Sequence, residues 1–123
     1  AAGMIFNGFS AKARAEGANV EYAYHKEGFV ARMDNVVLLK DAPNRANALN
    51  FMNFLLQPEN AAALTNYAAY TSAVIGVEPF LDEAIKTSPE NNPPASAPQG
   101  TFVGVCDQAT QELYDAVWTN LKK

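Results

Sequence analysis

A mixed α/β fold, richer in helix than in strand, is what this sequence predicts, and three observations predict it. Apolar residues recur at three- and four-residue spacing over 45–56 and again over 110–122, the period of an amphipathic helix. Short β-branched or alternating runs at 4–6, 19–24 and 29–39 have the period of strands. Between them stand the turn signals Asn7-Gly8, Gly17, Gly28 and Pro43-Asn44. With 49% hydrophobic and 18% charged residues the chain has the composition of a folded domain.

Taken in order, Met4-Ile5-Phe6 reads as a strand, Asn7-Gly8 as a turn, and the Ala-rich stretch from Ser10 to Glu16 as a short helix. Asn19 to Tyr24 sets Val20, Tyr22 and Tyr24 against Glu21 and Ala23, a strand with one covered face. The polar His25 to Gly28 breaks that pattern, and Phe29 to Leu39 follows as one or two strands. Arg32 and Asp34 sit two apart within it, so an extended backbone points both charges to one side. Two opposite charges on an otherwise apolar strand require a polar cavity, a partner or each other.

Lys40 to Asn44 is a loop, with Asn44 suited to cap the helix Arg45 to Leu56. Ala48, Leu49, Met52, Leu55 and Leu56 give that helix an apolar stripe. Pro58 suits the first turn of a second helix, Glu59 to Tyr67, set at a sharp corner to the first. Glu78 to Ile85 reads as a short helix, and Ser88 to Gly100, with four of the seven prolines, as an irregular linker. From Asp107 or Thr110 to Lys122 the helical period returns, with Leu113, Val117 and Leu121 in line and Tyr114 and Trp118 beside them.

Several function classes fall away. A net charge of −4 with nine scattered Lys and Arg lacks the clustered cations that phosphate neutralisation needs, so no nucleic-acid partner is expected. The longest apolar run, Val36 to Leu39, falls far short of the ~20 residues of a membrane-spanning helix. Cys106 is the only cysteine and His25 the only histidine, which leaves no internal disulfide, no metal-ligand spacing and no nucleophile motif. The glycines make no phosphate-binding loop. No cofactor and no enzyme activity are expected; carboxylates such as Asp82 and Glu83 read as ordinary solvated acids.

Gly3-Met4-Ile5-Phe6-Asn7-Gly8, Lys26-Glu27-Gly28, Met33-Asp34-Asn35, and Asn53-Phe54-Leu55-Leu56-Gln57-Pro58-Glu59-Asn60-Ala61-Ala62, in that order and spacing, resemble the periplasmic spermidine/putrescine-binding proteins of ABC importers. The resemblance runs from Gly3 to about Tyr70 and resumes in Leu113-Tyr114, Trp118 and Leu121-Lys122. It implies a two-lobed periplasmic-binding-protein fold of type II that closes on its ligand by a hinge. It also implies a periplasmic location, a polyamine-like solute as ligand and an inner-membrane ABC permease as partner. Residues 1–28 would end one lobe, 29–87 would belong to the other, and 88–123 would return to the first. Two lobes of ordinary size need roughly 200 to 300 residues, so the chain is expected to be the C-terminal part of a longer receptor.

The resemblance places three residues in the ligand pocket. Phe6 stands where the family usually has a tryptophan flanking the ligand's methylene chain, and its ring face can also attract an ammonium group. Asp34 matches the pocket aspartate, whose carboxylate would pair with a ligand amine. Arg32 departs from the pattern, standing where the family places an aromatic residue; facing the pocket it would repel a polyamine or neutralise Asp34. Either the ligand differs, with a carboxylate of its own, or Arg32 turns away. Thr71-Ser72-Ala73 departs too, lacking the family's proline and asparagine. Set against these roles are plainer ones: Phe6 as a core aromatic, Asp34 as a turn or capping residue, and Arg32 with Asp34 as a structural ion pair. For the whole chain, the rival reading is a stand-alone interaction module that covers its apolar faces by forming a homodimer.

Overall fold

The computed structural model describes residues 2–122. Five helices and one pair of very short strands succeed one another along the chain: α1 (Asn7–Ala15), β1 (Val30–Ala31), α2 (Arg45–Leu55), α3 (Pro58–Ala68), a 3-10 turn (Glu78–Phe80), α4 (Glu83–Lys86), β2 (Thr101–Phe102) and α5 (Gln108–Leu121).

Helix α1 starts three residues before the expected Ser10, because Asn7-Gly8 enters the helix instead of turning; the Ser10 amide already donates to the Phe6 carbonyl at 3.1 Å. Gly8 is there for room. A side chain at this position would come within 2.7 Å of the Tyr70 ring. The helix stops at Gly17, whose φ of 89° lets the Gly17 amide reach the Arg14 carbonyl and the Ala18 amide the Ala13 carbonyl, the paired bonds of a Schellman ending.

Helices α2 and α3 fall where the periodicity puts them, with Pro58 opening α3. Asn44 occupies the position before α2, but its side chain makes no capping bond. The corner is fastened by Asn60, whose Nδ2 donates to the Phe54 carbonyl at 2.9 Å and to Gln57 Oε1 at 3.0 Å, adding to the bond that carbonyl accepts from the Gln57 amide at 3.3 Å. Asn66 ties α3 to the next turn, donating to the Phe80 carbonyl and accepting from the Asp82 amide, each at 3.0 Å. In this elbow lies the buried apolar cluster of Ala61, Ala62 and Val77, flanked by Val74 and Leu81.

The expected strands are mostly extended chain without a ladder. Met4 to Phe6 and Asn19 to Tyr24 form no strand, and of 29–39 only Val30–Ala31 does, because a strand exists only where a neighbour takes up its amides and carbonyls. The neighbour is Thr101–Phe102, a segment that sequence reading left unassigned. The two run parallel, Val30 opposite Thr101 and Ala31 opposite Phe102, and the Thr101 amide extends the pairing to the Phe29 carbonyl at 2.9 Å.

The Pro-rich stretch is no linker. Glu90 is 2% exposed and gathers Arg14 Nη2 at 2.7 Å, Ser88 Oγ at 2.8 Å and Ser10 Oγ at 3.2 Å around its carboxylate, while its carbonyl accepts from the Tyr24 hydroxyl at 2.7 Å. Asn91 beside it accepts from Asn7 and Thr71 and donates to the Ala69 carbonyl. Two adjacent residues thus bind α1 and the end of α3 through their side chains, and the Tyr24 segment through the Glu90 carbonyl. Burial pushes the Glu90 carboxyl up, but its own backbone amide, Ser88, Arg14 and Ser10 outweigh that and hold it below the ordinary value. Burial, followed by the Glu90 charge, raises the Tyr22 hydroxyl.

Much apolar surface remains open. The described residues expose 10220 Å², against roughly 6,500 Å² for a compact chain of this size. On α5, Leu113, Tyr114, Val117, Trp118 and Leu121 are each more than half exposed, a stripe of the kind that ordinarily stabilises a helix by packing against a neighbour.

Candidate functional site

Beyond the parallel pair the backbone continues as Arg32-Met33 on one side and Val103 on the other. The space at these carboxyl ends is an open groove of roughly 490 Å³, lined by Val30 to Met33, Asn35, Phe102 and Val103. Ligands of parallel α/β sheets characteristically bind in the crevice outside the carboxyl ends of the strands. A second recess of about 200 Å³, between α3 and residues 71–92, contains none of the three sequence-predicted site residues.

Of those three, the structure brings Phe6 and Arg32 together. The Arg32 guanidinium lies over the Phe6 ring, 5.5 Å from its centroid, within the range of a cation–π contact. Phe6 is 51% exposed, which is not a core position, and its ring also meets Phe9 at 6.4 Å between centroids. Its place follows from α1: Phe6 is the last extended residue before the helix, with φ −70° and ψ 142°, so the start of the helix fixes where the ring emerges.

Asp34 is exposed and does not line the groove, although both its neighbours do. Beside it, Asn35 Nδ2 donates to the Met33 carbonyl at 3.0 Å. Arg32 and Asp34 form no ion pair among the described residues, so each charge is left to solvent or a ligand. Sequence reading missed Met33, Asn35, Phe102 and Val103 as groove residues. The one signal for Phe102 and Val103 was the short β-branched and aromatic run after Gly100, hidden behind the prolines. No group of three or more metal-ligating side chains occurs among the described residues, and none of their helices is long and apolar enough to cross a membrane.

A shallow groove with an aromatic wall, one guanidinium and a nearby free carboxylate can hold a small charged molecule by contact and hydrogen bonding. It offers no nucleophile paired with a base. Comparison with known proteins supplies the family. Residues 1–93 match the family described as bacterial extracellular solute-binding protein, and the chain belongs to that family. Among its relatives, the putrescine-binding periplasmic protein PotF of Escherichia coli (strain K12) is 29% identical over 113 residues, 91% of this chain and 30% of that protein. The putrescine-binding periplasmic protein SpuD of Pseudomonas aeruginosa (strain UCBPP-PA14) is 33% identical over 119 residues, 93% of this chain and 32% of that protein. The spermidine/putrescine-binding periplasmic protein of Salmonella typhimurium (strain LT2) is 30% identical over 83 residues, 68% of this chain and 24% of that protein. The resemblance to periplasmic polyamine-binding proteins thus holds along most of the sequence, and the chain spans about a third of the length of the first two relatives. No solved structure gives a significant match.

Proposed function

We propose that this chain is part of a periplasmic solute receptor that delivers a polyamine or related small cationic solute to an ABC permease, without chemical change to the solute. The observation that carries the reading is the contact of the Phe6 ring with Arg32, which lines the groove at the carboxyl ends of the parallel strands, while Phe6 itself stands outside that lining. An aromatic face covers a methylene chain and attracts an ammonium group. The unpaired Asp34 carboxylate, between the groove residues Met33 and Asn35, supplies a charge-assisted hydrogen bond to an amine.

The working motion is hinge closure of two lobes driven by contacts from both sides of the cleft. For a division into 1–28, 29–87 and 88–123, the bonds from Glu90 to Ser10, Arg14 and Tyr24 favour a return of the last segment to the first, while Asn91 with Thr71 and Ala69, and the pairing of Thr101–Phe102 with Val30–Ala31, tie it to the middle one as well. The uncovered stripe of α5 and the excess surface favour a longer receptor that packs against them. Nothing in the comparisons favours the rival self-associating module.

Calorimetric titration of the full natural polypeptide carrying this sequence, with putrescine, spermidine and a panel of amino acids, tests the reading. The expected result is saturable heat with at least one solute and a matching rise in melting temperature; ligand at a hundred times Kd adds about 2.7 kcal/mol to the folded state. Absence of both across the panel would refute it.

A further inference from the structure

We infer that Arg32 selects for a solute that carries a carboxylate beside its amine, and against a simple polyamine. This rests on the receptor reading above and narrows the class of solute. Arg32 is the only charged residue lining the groove, so the local field there is positive. Its guanidinium also lies over the Phe6 ring, the aromatic face that an incoming ammonium group would use. A diamine entering here must displace a cation from the ring and then remain beside it. A carboxylate meets the opposite situation.

The guanidinium is free to receive one. Arginine carries five N–H donors in a rigid planar fork, and among the described residues Arg32 donates to no protein acceptor and pairs with no acid. The ring contact uses none of the N–H donors as hydrogen bonds, which leaves them open to a bidentate carboxylate. Asp34, two residues on, is exposed and forms no ion pair with Arg32, so one short segment presents a cation and an anion that do not pair with each other. The complement of that arrangement is an amine and a carboxylate on one small molecule.

The test uses matched solutes that differ by a single carboxylate: putrescine against ornithine, and cadaverine against lysine. Each is titrated into the full natural polypeptide, wild type and with Arg32→Gln or Arg32→Lys. Arg32 is exposed and anchors no hydrogen bond, so both variants are expected to keep the wild-type circular dichroism and melting temperature in the absence of solute. The inference expects the carboxylated member of each pair to bind at least tenfold more tightly. Arg32→Gln should cut that ratio at least tenfold and improve the diamine, and Arg32→Lys, which keeps the charge but loses the fork, should fall between. If the diamines bind more tightly than their carboxylated partners, or Arg32→Gln leaves the ratio unchanged, the inference is wrong while the receptor reading stands. If no member of either pair and no spermidine binds the folded protein, the receptor reading fails and takes the inference with it.

Discussion

Replacing Glu90 by alanine tests whether one buried carboxylate fastens the Pro-rich stretch to α1, since the Tyr24 bond, made to the Glu90 carbonyl, survives the change. The carboxylate receives Arg14 at 2.7 Å, Ser88 at 2.8 Å and Ser10 at 3.2 Å. A hydrogen bond to a charged group is worth about 1.5–3 kcal/mol. The three are not additive, since they share one acceptor group. Arg14 is also 39% exposed along its side chain, so its share lies toward the weak, solvent-screened end. A net loss of about 2–4 kcal/mol follows, read as a lower urea midpoint and, at roughly 4–8 °C per kcal/mol in a domain of this size, a fall in melting temperature on the order of 10 °C. Glu90→Gln keeps the shape and loses the charge, and should lie between wild type and Glu90→Ala. An unfolding midpoint for Glu90→Ala within about 0.5 kcal/mol of wild type would refute the claim that this carboxylate holds the segments together.

Further predictions follow from the same structure. Because the folded Glu90 carboxyl lies below its ordinary value of 4.5, its contribution is fully present above that pH and is lost as pH falls through the folded value; acid unfolding of wild type should therefore show a component that Glu90→Gln lacks. Gly8→Ala forces a methyl group to within 2.7 Å of the Tyr70 ring and should destabilise by about 1–3 kcal/mol in urea unfolding, with Tyr70→Ala recovering part of the loss. Ala69 holds a left-handed φ of 61° at the end of α3, so Ala69→Gly should raise stability by about 0.5–1 kcal/mol, seen as a higher melting temperature. Asp34→Ala should lose most affinity for an amine solute in calorimetry while leaving the melting temperature of the solute-free protein unchanged; unaltered binding would remove Asp34 from the site.

Helices were the most legible part of the sequence because their signals are local. Leu49, Met52 and Leu56 mark a face of α2 whatever surrounds it, Pro58 marks the start of α3, and Asp107 caps α5 by accepting from the Thr110 amide at 2.8 Å. Strands were less legible because they depend on partners. Met4 to Phe6 has strand composition and no ladder, whereas Thr101-Phe102 gains one by lying opposite Val30-Ala31. The role of Glu90 was invisible for the same reason: a lone acid among prolines reads as solvated until Ser10, Arg14 and Tyr24, far away in sequence, are seen around it. At the site, sequence proposed Phe6, Arg32 and Asp34 through resemblance. It left open whether Arg32 faces the cleft or turns away, because strand alternation fixes a side chain's side only within a paired strand, and the chain leaves β1 after Ala31.

The most direct measurement is a crystal structure of the full natural polypeptide with its tightest-binding solute. The account predicts solute density in the groove at the ends of the parallel strands, against the Phe6 ring and within hydrogen-bonding distance of Arg32 and Asp34. Density seated elsewhere, with Phe6 and residues 32–35 untouched, would contradict it.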